Sequence, residues 1–125
     1  MWTATQDGYF SAVQHRDRPD TLMVRARDSK DLERIRDKGY ETGRIIAMTE
    51  ADYPYRVIIK KEEWARYLVE ATVAIDYVNF KNRIHEVDDR RGNIYLKVWR
   101  ELLHIEDDDW DRELVPVVAA EEAIR

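Results

Sequence analysis

The sequence predicts an α+β fold: a four-stranded, mostly antiparallel sheet in the order ββαββα, with helices packed on one face and two further helices at the C-terminal end. Three observations carry that reading. Tyr9 to His15 and Thr21 to Arg27 both alternate apolar and polar residues, and the link between them, Arg16-Asp17-Arg18-Pro19-Asp20, is short, polar and contains proline. Arg56-Val57-Ile58-Ile59, framed by Pro54 and two lysines, is β-branched enough to favour a pleated, half-buried strand, and the period changes to a helical one directly after it. Ile94 to Ile105 then places Tyr95, Val98, Trp99, Leu102 and Ile105 at the spacing of a helix core stripe.

Taken in order, the first strand puts Phe10, Ala12 and Gln14 on one face and Ser11, Val13 and His15 on the other. The second turns Leu22, Val24 and Ala26 inward and Met23, Arg25 and Arg27 outward. Asp28 or Ser29 caps a short helix on Leu32 and Ile35 that ends at Gly39. Arg44 to Thr49 is the third strand, Glu50 to Tyr53 the turn, and Tyr55 to Lys61 the fourth strand, with Tyr55, Val57 and Ile59 facing away from Arg56, Ile58 and Lys60. Pro54 suits a first strand position, where a missing N–H costs little.

The helix from Glu62 to Ile75 carries Trp64, Leu68, Ala71 and Ile75 on its core stripe, and Val69, Thr72 and Val73 widen the apolar arc enough to touch two layers. Its first-turn carboxylates, Glu62 and Glu63, suit the helix dipole. Asn79 to Val87 forms a short helix on Phe80, Ile84 and Val87, and Asp88 to Asn93 reads as a turn. Residues 1–105 are expected to make one compact domain. Residues 106–125 are expected to be an acidic extension, with Pro116 placed to start a last helix.

Composition sets bounds. The 125 residues, 44% hydrophobic and 38% charged, suit a domain with a core of its own and a charged surface. No apolar run approaches the roughly 20 residues of a membrane span, and MWTATQDGYF is not a secretory signal, so a cytoplasmic protein with no membrane partner is expected. The absence of cysteine removes disulfides, a thiol nucleophile and thiolate metal sites. A net charge of -5 argues against non-specific coating of DNA but leaves room for a local basic site. The histidines lack metal-ligand spacing, the serines lack nucleophile-elbow glycines, and four glycines form no phosphate loop, so neither a metal, a cofactor nor an enzyme is implied. A hydrolase using His15 with Asp17 or Asp20 is the weakest of the functional readings.

The candidate site is arginine-rich. Arg25 and Arg27 lie two apart and project from one side of their strand; His15 ends the neighbouring strand, and Arg56 joins them if its strand is adjacent. Guanidinium groups so placed hold phosphate or carboxylate bidentately, or else pair with nearby carboxylates as ordinary surface charges. Tyr53, Tyr77 and Phe80 offer flat surfaces for a base, while Asp76 and Asn79 supply directional hydrogen bonds or cap the following helix.

The runs SAVQHR, LMVRAR, ADYPYR and IDYVNFK, with Asp31-Leu32-Glu33 and Glu63-Trp64, form a set that resembles a family of small uncharacterised bacterial and phage proteins. The match extends over roughly residues 8 to 104, the stretch with strand and helix signals. The resemblance implies a compact domain in a bacterial or phage cytoplasm and attaches no activity to it. The functional expectation is a module that binds a phosphate-bearing anion, a nucleotide or single-stranded nucleic acid, through the arginines and tyrosines. The alternative is a protein-interaction or self-association module working through sheet edges or through Trp110 and Leu114 to Ala120.

Overall fold

The computed structural model of the chain describes residues 1–105. The expected acidic extension, its last helix and the docking role of Trp110 and Leu114 lie outside the described residues. Elements follow in the order β1 (Trp2–Thr5), β2 (Gly8–Gln14), β3 (Thr21–Ala26), α1 (Ser29–Asp37), β4 (Ile46–Ala47), β5 (Tyr55–Lys60), α2 (Lys61–Val73), α3 (Phe80–Val87) and α4 (Asp89–Leu102). The fold is α+β with a five-stranded antiparallel sheet in the order β1-β2-β3-β5-β4. The expected four strands and ββαββα order are therefore corrected by one N-terminal strand. The chain divides into two compact units, Met1–Val78 and one that begins at Asn79.

In the first unit the alternation of β2, β3 and β5 falls as the sequence predicts. Phe10, Ala12, Val24, Ala26, Val57 and Ile59 are buried together with Leu32 and Ile35 of α1 and Trp64 and Tyr67 of α2. Edge-to-face contacts of Phe10 with Trp64 (5.4 Å) and Tyr67 (6.2 Å) fix the aromatic centre of this core. α1 starts at an Asp28 cap, whose side chain accepts from the Lys30 backbone N–H, and it ends ahead of Gly39 at φ +94°.

Three local expectations fail for physical reasons. β1 has no apolar alternation of its own; its register comes from pairing with β2 around the Gln6-Asp7 turn. β4 is only two residues long: Ile46 and Ala47 are both exposed, and Ile45 alone packs against the core, too little buried face to carry the register over Arg44 to Thr49. In α2 the inward stripe runs through Tyr67, while Val69 and Val73, expected to widen the buried arc, are 61% and 81% exposed.

The second unit pairs α3 with α4. Asn79 caps α3 by accepting from the Asn82 N–H, and Asp88 caps α4 by accepting from the Arg91 N–H. Asp89 to Asn93, expected as a turn, is helical. Gly92 belongs there because a Cβ would overlap the His85 ring, so it permits close helix packing and breaks nothing. Phe80 stacks on Tyr95 at 5.8 Å and Lys81 lies 5.0 Å from the Trp99 ring centroid. No helix among the described residues is long and apolar enough to cross a membrane.

Candidate functional site

Period-two alternation sends Arg25 and Arg56 out on the sheet face opposite the α1–α2 core, and strand pairing makes them neighbours. Arg25 and Arg56 are direct partners across β3 and β5, Ser11 faces Arg25 across β2, Trp2 faces Ser11 across β1, and Ile46 faces Arg56 across β4. One row thus reads Trp2, Ser11, Arg25, Arg56, Ile46.

The turn before β5 supplies the floor. Tyr53 is 6% exposed, and the guanidinium carbons of Arg25 and Arg27 lie 4.8 and 4.9 Å from its ring centroid. Arg25 Nη2 donates to Ser11 Oγ at 2.8 Å; Arg56 donates to the Tyr53 carbonyl and to Met23 Sδ, both at 3.2 Å. The Nε groups of Arg25 and Arg56 are buried without a hydrogen-bond partner among the described residues. No ion pair among the described residues involves Arg25, Arg27 or Arg56.

Three permanently charged groups therefore share one patch, and two of them face each other directly. Like charges placed opposite across a sheet repel, and a phosphate or carboxylate is the natural complement. No group of side chains among the described residues has the make-up of a metal site.

The remaining predicted site residues are elsewhere. His15, just past the end of β2, is four residues from Ser11, about 13 Å at the usual strand rise. Its Nδ1 accepts from the Asp17 backbone N–H, a turn contact that presents no carboxylate–imidazole pair. Tyr77 lines a cleft of about 170 Å³ with Thr5, Asp7, Lys38, Leu68 and Ala71. Asp76 is exposed beyond α2. Asn79 and Phe80 belong to the second unit, the first as a helix cap and the second stacked on Tyr95. Of the tyrosines and Phe80 considered as walls for a base, Tyr53 is instead the buried plate under the arginines.

A polar network on the side of α1 and α2 was not anticipated. Tyr67 Oη donates to Asp7 Oδ2 (2.7 Å) and accepts from the Thr5 hydroxyl (2.7 Å), and Lys38 Nζ donates to the Asp7 carboxylate (2.9 Å). Asp31, 2% exposed, accepts from the Tyr9 N–H (3.0 Å) and from Arg34 Nη1 (2.9 Å), which also reaches the Asp7 carbonyl. A Cβ at Gly8 would overlap the Asp31 carboxyl group, so glycine is needed for this close approach. Burial, with Asp7 adding to it, pushes the Tyr67 hydroxyl strongly upward in pKa.

Nearby, Tyr40 donates to Glu70 and lies under Arg66, which binds Glu63 (2.6 Å) and Glu70 (3.2 Å). Burial first, and Glu70 second, push Tyr40 up to about 12; the Tyr40 hydroxyl and then Arg66 hold Glu70 below the usual carboxylate range. These groups are mutually satisfied and hold the fold. Asp7 beside Gly8 was readable as a turn signal, but nothing in the chain's pattern marked the network itself.

No family model, curated protein or solved structure matches the chain. The resemblance described above therefore rests on its quoted motifs alone.

Proposed function

We propose that this chain is a binding module for a phosphate-bearing anion, a nucleotide or a single-stranded nucleic acid, held by Arg25, Arg27 and Arg56. The single observation that carries the reading is the juxtaposition of these guanidinium groups around Tyr53 with no carboxylate paired to any of them among the described residues. Mutual repulsion is relieved when an anion arrives, so binding and stability are coupled. Tyr53 serves as the plate that orients the cations. The reading assigns no catalytic residue. A bacterial or phage cytoplasmic setting belongs to the same proposal and rests on the motif resemblance.

Inorganic pyrophosphate is the simplest probe. At a hundred times its dissociation constant it should stabilise the protein by about 2.7 kcal/mol, read as a thermal shift. Arg27→Ala should remove most of that shift, and Arg16→Ala in the β2–β3 turn should not. Absence of any shift at millimolar pyrophosphate would contradict the reading.

A second reading has its own support. β1 and β4 each pair on one side only among the described residues, and Trp2, Ile46 and Met48 are exposed near those edges. This favours a protein-interaction or self-association module, which light scattering across a concentration series tests; a monomer at every concentration removes the self-association form.

A further inference from the structure

We propose that the arginine face binds single-stranded nucleic acid, with Trp2 as its base-stacking residue. This rests on the anion-binding reading and names the class of ligand within it. Trp2 stands in the same cross-strand row as Arg25 and Arg56, two and three strands away. At the usual strand spacing the row places Trp2 about 14 Å from Arg56, on one side of the sheet. The indole is 75% exposed, and it meets Tyr9 only at a tilt, 6.5 Å between centroids, which leaves ring surface open. A second row, Val13, Met23 and Ile58, runs beside it and is apolar and partly exposed.

An exposed aromatic ring on the edge strand and a guanidinium cluster two to three strands further in meet the two chemistries of an unpaired strand. Bases offer π-faces to the ring, and phosphates offer charge to the arginines. Inorganic phosphate engages the arginines alone. A duplex presents phosphates but keeps its bases stacked inside. Only an unpaired strand engages both the ring and the arginines. Ser11, the one hydroxyl in the row, already accepts from Arg25, so little is left to read base edges and weak sequence preference is expected.

The test is fluorescence anisotropy of the full chain with labelled oligo-dT and oligo-U of about eight nucleotides, against a duplex of equal length, with pyrophosphate titrated in parallel. The single strand should bind at least about tenfold more tightly than the duplex. Its log K should fall with log salt at a slope near -2, about -0.7 for each of three neutralised phosphates. Trp2→Leu should weaken the oligonucleotide about five- to hundredfold, leave the salt slope and pyrophosphate binding unchanged, and be rescued by Trp2→Phe. Arg27→Ala should reduce the slope by about 0.7 and weaken both ligands. Equal binding of single strand and duplex, or indifference to Trp2→Leu, with pyrophosphate still bound, overturns the stacking proposal and leaves the anion site standing. No binding of either probe overturns both.

Discussion

The two faces of the sheet use the same kinds of side chain to opposite ends. On the side of α1 and α2, each carboxylate of the network meets a donor: Asp7 has Tyr67 and Lys38, Asp31 has Arg34 and the Tyr9 N–H, and Glu70 has Tyr40 and Arg66. On the other side Arg25 and Arg27 share the Tyr53 ring, Arg56 holds the Tyr53 carbonyl, and none of the three meets a carboxylate among the described residues. A buried charge is tolerated when it is paired and hydrogen-bonded. The first arrangement therefore holds the protein together, while the second keeps cationic charge available for something outside it. Removing a member of the first set should cost stability, and removing a member of the second should cost binding.

The sharpest way to break that contrast is Asp31→Ala. It strips a buried partner from the Tyr9 N–H and from Arg34, and a loss of about 3 kcal/mol is expected in urea unfolding. A loss under about 1 kcal/mol would show that the network is ornamental. Tyr67→Phe should come next, at about 1–3 kcal/mol, because Asp7 and Thr5 lose the hydroxyl between them.

Alkaline pH probes the same side without a mutation. Tyr40 has its folded pKa raised from 10.0 to about 12, so the stability it contributes is complete below about pH 10 and is lost as pH rises toward about 12. Melting curves across that window should fall, and Tyr40→Phe should make the fall shallower. At the acid end Glu70 works in the other sense: its lowered pKa gives stability present above the ordinary carboxylate range and lost as pH drops through the folded value. The smallest stability effect belongs to the other face. Arg27 is exposed, so Arg27→Ala should change unfolding free energy by no more than about 0.5 kcal/mol while weakening anion binding.

Much of this contrast is visible in the chain before folding. Alternation alone assigns Val24, Ala26, Val57 and Ile59 to one face and Arg25 and Arg56 to the other. What alternation cannot supply is the neighbour relation. That Arg25 sits opposite Arg56 depends on β5 pairing with β3 across an intervening helix and strand. β1 escaped because its four residues bury no continuous face, and with it went Trp2, whose place beside the arginines exists only through pairing with Ser11. Tyr67 was hidden by its hydroxyl, which makes a core residue look like a surface one until Asp7 and Thr5 are seen to satisfy it. Gly92 and Asn93 resembled a turn because glycine has two uses, and here it is close packing against His85 that requires it.

The most direct test of the central claim is nuclear magnetic resonance of the arginine Nε–Hε groups during a pyrophosphate titration. The buried Nε groups of Arg25 and Arg56, without a partner among the described residues, should shift together with that of Arg27, saturating along a single binding curve. Shifts confined to Arg16, Arg18 and Arg36, or none at saturating pyrophosphate, would contradict the assignment of this patch to an anion.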